Sequence, residues 1–537
     1  MDILQLFKYL YDKVDPFYRS VFIKIFLATN IVYLYYTANF LFSDHDISFL
    51  TNRVDYKSIW WAGRFFQYVP IQIVGGYILP VINNLLTFSA HIIAGIMVCS
   101  VWMLPKREGL YFLAVSFLLF VPYSMTWMFY VQGSFAMFLI PLYVAAAAIL
   151  ARSDTWHSLL AGAILLFFAV STYHPAINTI CIIFGGKLIL DVADDSAFTN
   201  SFGYYKRLFI MSLLGGGIFC ASFMYLKHNF IIDSFYAIEI NGVFDIILNI
   251  PKMLLYGVKQ FFIDQPYIEK PYKSVLFFAL VFSFFAIITR CLQNNKKQIP
   301  IKLFAVVFLF AGIIFATQLS NLISSVDTFL FPRIALYGLV FLSLFSLVVL
   351  CSSRIKIFNN LGVGILVVLL GVNIVQVARI QKSWGESAKI ESDRISRLIY
   401  SIETHPSFDN SVTYTVYSCG SFDQPRRNFY PKPFHEHSDE LHSQSIITYW
   451  DLSIVLGYKE PNLKLSYGGR SVEDLAAFLK KLELPQRERY RTVIHNARSW
   501  PSQQSVVILD SIMLLFLDRE SLASLATLWD NNCGTSE

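Results

Sequence analysis

Apolar runs of about 20 residues recur from near residue 20 to near residue 380, separated by short polar turns. A run of that length crosses the ~30 Å hydrocarbon core of a bilayer as a helix. The runs lack the period-two alternation of strands, and in lipid only helices or closed barrels satisfy their own backbone. The pattern predicts spans at 20–42, 77–103, 109–122, 133–150, 158–173, 176–192, 208–226, 274–289, 303–322, 334–351 and 360–379, about eleven in all. The stretch 66–76, which begins Phe66-Gln67-Tyr68-Val69-Pro70, is too short to cross and reads as interfacial or re-entrant. Within the 227–273 loop, Ile246 to Phe262 is amphipathic and suits a membrane surface.

Beyond residue 380 the pattern changes. Ile390, Ile395, Leu398, Ile399 and Ile402 recur at helical spacing, whereas Val412, Tyr414 and Val416 alternate like a strand. Ser471-Val472-Glu473-Asp474 predicts a capped helix through Leu482, stopped by Pro485. Ser505–Leu517 reads as two short strands around Asp510-Ser511. The fold class is therefore mainly α: a polytopic helical membrane domain over 1–380 and a soluble α/β domain over 381–537.

Composition agrees. Of 537 residues, 55% are hydrophobic and 15% charged, against about 25% charged in a soluble domain. The net charge of +6 is modest, and Lys and Arg sit mostly in short loops. They read as topology signals rather than nucleic-acid contacts. Lys106-Arg107, Arg152, Lys206-Arg207, Arg290 with Lys296-Lys297, and Arg354 with Lys356 fall on the side of the basic N-terminus. That side is expected to be cytoplasmic. An odd number of spans then puts the acidic loop 43–69 and the C-terminal domain outside, in the periplasm of a bacterial inner membrane. The first apolar run reads as a retained anchor rather than a cleaved signal. Seven scattered cysteines show no metal spacing, and nothing in the spacing supports a Cys419–Cys533 disulfide.

The chemistry concentrates in the first outer loop. Ser43-Asp44-His45-Asp46 is followed by Arg53 and then by Trp60-Trp61-Ala62-Gly63-Arg64-Phe65. Carboxylates beside a bilayer are costly, so a cluster at a membrane mouth points to function. Sugar transfer from a lipid phosphate needs a carboxylate to take the acceptor's proton and a cation to hold the departing phosphate. Asp44 or Asp46 suits the first role. Arg64 or Arg53 suits the second, because a guanidinium grips phosphate oxygens in pairs. The plain alternative is hydrophilic loop residues at a helix end. His45 adds a third ligand for a divalent metal, a weak metal signal. Trp60 and Trp61 suit stacking on a sugar, or equally an interfacial aromatic belt. His174, in Tyr173-His174-Pro175, is a substrate contact or a satisfied turn residue. Gln132, in Tyr130-Val131-Gln132-Gly133, is a sugar contact or a helix cap. Arg333, where a helix re-enters the bilayer, is a phosphate clamp or a snorkelling side chain.

Walker, dinucleotide-binding, Gly-x-Ser-x-Gly and His-Glu-x-x-His patterns are absent from the sequence. The four motifs at 43–46, 60–65, 130–133 and 173–175, with the acidic first loop and about eleven spans, resemble the glucosyltransferase II type of serotype-converting enzymes in O-antigen modification. That type belongs to the GT-C class of membrane glycosyltransferases, and the resemblance covers about residues 20–380. It implies transfer of glucose from undecaprenyl-phosphate glucose, flipped outward, to a periplasmic lipopolysaccharide glycan, with inversion at the anomeric carbon. It also implies a flippase and a donor synthase as partners, no certain cofactor, and a first-loop Asp as base. Such families place their acids side by side before an Arg. Here His45 separates them, so Asp44 and Asp46 both stay open for the role. Two rivals remain at this level. An O-antigen polymerase or ligase should carry Arg-rich outer loops, and these loops are poor in Arg. A flippase should carry charges at mid-membrane, and the spans hold few.

Overall fold

The computed structural model describes residues 13–39, 60, 64–73, 79–128, 131–194, 198–229, 243–259, 261–262, 270–293, 299–320, 332–420, 456, 460, 462–469 and 471–533. The chain divides into two compact units, with the principal boundary between Gln381 and Lys382.

Among its described residues the first unit holds helices and the turns between them, and no strand. In chain order it holds α1 (Pro16–Val32), α2 (Leu34–Ala38), α3 (Tyr68–Ile73), α4 (Pro80–Val101), α5 (Glu108–Phe120), α6 (Ser124–Met128) and α7 (Val131–Leu150). There follow α8 (Trp156–Thr172), α9 (Ala176–Ala193), α10 (Phe198–His228), α11 (Val243–Lys259), α12 (Lys270–Gln293), α13 (Ile299–Ala316), α14 (Pro332–Cys351) and α15 (Lys356–Glu403), whose residues from Lys382 on belong to the second unit. Among the described residues, six helices are long and apolar enough to cross a membrane: Val81–Val101, Ala176–Ala193, Phe202–His228, Pro271–Gln293, Ile299–Ala316 and Lys356–Glu386. Four shorter apolar helices accompany them, at Glu108–Phe120, Ser134–Leu150, Trp156–Thr172 and Gly338–Cys351.

Local chemistry explains the ends and breaks. Asp15 caps α1 by accepting from Phe17 N at 2.9 Å, and Pro16 starts the helix where no amide is needed. The first predicted span is broken at Tyr33. Gln381 of α15 bridges that break, accepting from Tyr36 N at 2.9 Å and donating to Val32 O at 3.1 Å. The freed backbone groups thus find partners where water is absent. The short 109–122 run is a 13-residue helix that halts at Val121–Tyr123 before α6 resumes. The last apolar run does not stop near 380. With no proline from Lys356 to Glu403, it continues as a single 48-residue helix.

Charged side chains gather at one end of this unit. Lys106 meets Asp15 at 3.0 Å and Lys24 meets Glu108 at 2.7 Å, both exposed. Deeper in, Lys187 pairs with Asp191, which also accepts from the Tyr205 hydroxyl at 2.6 Å. Asp194 takes two bonds from the Arg290 guanidinium, and Arg207 holds Asp154 and the Ala151 carbonyl.

The second unit contains β1 (Tyr414–Cys419), β2 (Leu465–Gly469), α16 (Val472–Lys480), α17 (Leu484–Asn496), β3 (Val506–Leu509), β4 (Ile512–Phe516) and α18 (Arg519–Cys533). The sheet order is β2-β1-β4-β3, with β1 parallel to both neighbours and β3 antiparallel to β4. Alternate strand residues feed two cores. Tyr414, Val416, Ile508, Met513 and Leu515 pack with Ile395, Leu398 and Ile402 of α15. Tyr417, Cys419, Val507, Leu514 and Phe516 pack with Leu475, Leu479, Tyr490, Ile494 and Leu525 from α16, α17 and α18. Both faces are covered, so the strands read as nearly continuous apolar runs. Ser471 and Asp474 form a reciprocal capping box on α16. Pro485 opens α17 besides ending the preceding turn. Cys419 is a free thiol, and burial pushes its pKa up to about 12, so it stays protonated at neutral pH.

Candidate functional site

The end of the first unit opposite the ion pairs is aromatic. Its scaffold is the helix pair α8–α10. Gly215 of α10 sits so close to α8 that a Cβ there would lie 2.7 Å from the Ala163 carbonyl oxygen and 3.1 Å from Phe167 N. Small residues let membrane helices approach in this way. Beyond the contact, Phe167, Phe219 and Phe223 project toward the segment that follows Trp60.

That segment brings its own rings. Phe65 stacks on Phe219 at 5.9 Å between centroids, and Phe66 stacks on Phe168 at 3.7 Å. Phe66 N donates to Ser171 O at 3.2 Å, which ties the segment to the last turn of α8. Trp60 and Phe65 pack against Phe223 and Leu226. Between them lies an open groove of about 450 Å³, walled by Trp60, Phe65, Phe66 and Phe167 on one side and by Ala221, Ser222, Tyr225 and Leu226 of α10 on the other. Cys220, beside that wall, is an exposed thiol.

Two of the sequence-derived polar candidates contact rings near this groove without lining it. The Arg64 guanidinium lies over the Tyr173 ring, 4.9 Å from its centroid, a cation–π contact that fixes its direction. His174 meets Phe219 at 5.5 Å and Phe223 at 6.0 Å, both edge to face. Trp60, Arg64 and His174, 110 residues apart between Arg64 and His174 in sequence, thus share one cluster. Gln132 falls in the first turn of α7 and Arg333 in the first turn of α14. Asp44, His45, Asp46, Arg53 and Trp61 lie outside the described residues. Among the described residues no three His, Cys, Asp or Glu side chains gather to hold a metal ion.

Sequence reading passed over two buried polar groups near this end. Asn178, one turn into α9 from His174, is fully buried. Its amide donates to Thr317 O and to Ser320 Oγ at 3.0 Å each, and its oxygen accepts from Ser320 N at 2.9 Å. It therefore pins the turn after α13. Lys273, in the first turn of α12, is only 2% exposed. For Asn178 the available signal was a polar residue inside an apolar run, which in a membrane protein marks either packing or function.

A family model described as glucosyl transferase GtrII matches residues 33–369. That range takes in the α8–α10 pair and the whole groove. No curated protein and no solved structure matches the chain.

Proposed function

The chain belongs to the glucosyl transferase GtrII family, and on that premise we propose that it moves glucose from a polyprenyl-phosphate carrier, undecaprenyl phosphate in a bacterium, to a periplasmic surface glycan such as O-antigen. The family match over residues 33–369 carries this reading. The groove supports it: an aromatic trough at a membrane mouth suits a sugar and the head of its lipid, and Arg64 directly precedes Phe65 of its wall.

The proposed step is an in-line displacement. An acceptor hydroxyl oxygen attacks the anomeric carbon from the face opposite the phosphate. Asp44 or Asp46 takes the hydroxyl proton as the new C–O bond forms. The bond from the anomeric carbon to the phosphate oxygen breaks, its electron pair stays on that oxygen, and polyprenyl phosphate leaves. Arg64, with Arg333 and Arg53 as further candidates, meets the charge that develops there. Trp60 and Trp61 stack on the sugar, and His174 and Gln132 contact its hydroxyls. The site and the C-terminal domain face the periplasm, about eleven spans cross the inner membrane, and a flippase and a donor synthase supply the substrate.

A transfer assay tests the reading. Purified protein receives synthetic polyprenyl-phosphate glucose and host surface polysaccharide, with Asp44→Asn and Asp46→Asn compared at matched amounts. Hexose addition by wild type that is lost in one Asn variant alone supports transfer and names the base. No transfer from any polyprenyl-phosphate sugar sinks the proposal. Transfer that survives both substitutions places the base elsewhere.

A further inference from the structure

The described residues of the second unit begin at Lys382, beyond the family-matched range, and they carry a site of their own. At the carboxyl ends of the parallel strands β1 and β4, the chain before β3 folds back, and Trp500 N donates to Phe516 O at 2.9 Å. Ligands of open α/β sheets bind outside this strand edge. Here the edge opens into a cavity of about 720 Å³ between α17, the 497–502 segment and α18. That lies inside the ~300–1,000 Å³ range of small-molecule sites.

Its lining is one-signed. Arg491 and His495 come from the end of α17, Arg498 from the segment after it, and Arg519 from the start of α18. No Asp or Glu is among the described lining residues. Of the nearby carboxylates, Asp518 caps α18 by accepting from Ser521 N at 2.7 Å, and Glu488 sits 3.6 Å from Arg491 and offsets that one cation. Among the described residues, neither the Arg498 nor the Arg519 guanidinium meets a carboxylate. Trp500 supplies a flat ring and Ser499 and Ser502 supply hydroxyls on the same wall.

Guanidinium forks match carboxylate and phosphate oxygens, while a ring beside hydroxyls matches the mixed faces of a sugar. We propose that this cavity binds an anionic saccharide, a sugar bearing a carboxylate or a phosphate, with Arg498 and Arg519 as its principal contacts. The proposed transferase reading bears on one point only: it makes the acceptor glycan the source of that sugar.

The test is calorimetric titration of the full-length protein in detergent with glucose 6-phosphate, glucuronate, neutral glucose and inorganic phosphate. One charge-assisted hydrogen bond is worth ~1.5–3 kcal/mol, so glucose should bind about tenfold or more weakly than the two anionic sugars. R498A/R519A should lose the anionic sugars by at least about the same factor, and R498K/R519K should fall between. Absence of binding by wild type, equal binding of glucose, or unchanged binding in R498A/R519A overturns the site. Equal binding of inorganic phosphate and glucose 6-phosphate overturns it as a saccharide site. The wild-type comparison holds even where a variant does not fold. Hexose transfer is measured on the same preparations. Binding without transfer removes the transferase reading and leaves this site standing, and transfer without binding does the reverse.

Discussion

The two ends of the helical unit handle polarity in opposite ways. At one end, Lys187 and Arg290 are matched to the little-exposed Asp191 and Asp194, Arg207 reaches the exposed Asp154, and the Tyr205 hydroxyl joins α10 to α9 through Asp191. At the other, Arg64 rests on a tyrosine ring, His174 rests on phenylalanines, and an open groove lies beside them. A matched buried pair stabilises a geometry and leaves little charge for a ligand. A cation held over a ring keeps its direction. The difference gives the first end an architectural part, and the proposed chemistry falls at the second.

The comparison breaks most sharply at Asp191. Removing one partner of a buried pair leaves an uncompensated charge and costs ~3–5 kcal/mol. Asp191→Ala should therefore lower the thermal midpoint in detergent markedly, while the folded fraction keeps its specific activity. The pair replacement Lys187→Met with Asp191→Leu should recover most of the loss. Loss of specific activity at unchanged stability would reverse the assignment of the two ends.

Arg64→Ala should do the converse. Losing one group that meets developing charge costs about 10²–10³-fold in rate, and the melting midpoint should stay near wild type. Initial rates and a melting curve on one preparation separate the two ends directly.

Gly215→Ala tests whether the groove depends on the close helix pair. The new methyl meets backbone rather than a flexible side chain, so α8 and α10 must separate. Overpacking of this kind costs ~1–3 kcal/mol. The expected outcome is a raised donor KM with a smaller change in kcat, because the rings move apart while Arg64 remains.

Asp15→Asn should show the smallest effect, although it too breaks an ion pair. The Phe17 amide, with Lys106 behind it, holds the Asp15 carboxyl below the ordinary carboxylate range. Its contribution is thus present above pH ~4 and fades as pH falls below that range. Because the pair is exposed, water and salt screen it. A midpoint that shifts as far as in Asp191→Ala would show that depth does not separate these pairs.

The helices were legible because a bilayer admits so few solutions for an apolar run. The α16 cap and the β3–β4 hairpin were legible because Ser471 and Asp474 mark a helix start and Asp510 tolerates the positive φ of 54° that the turn needs. The length of α15 was hidden, since the fall in hydropathy near 380 marks a change of surroundings and not of backbone. Trp60, Arg64 and His174 were readable as residue types. Their meeting was not, because it depends on Gly215 and on the Phe66–Ser171 bond between distant segments. Asn178 escaped notice because its partners, two backbone groups and the Ser320 hydroxyl, lie about 140 residues away.

Cys220 sits one residue from the groove wall, and it is the exposed thiol among the described cysteines. The protein therefore carries its own attachment point for a fluorophore or spin label at the spot where a donor lipid would arrive. Occupancy of the groove can be watched in the unaltered chain, by quenching or line broadening, before any residue is replaced.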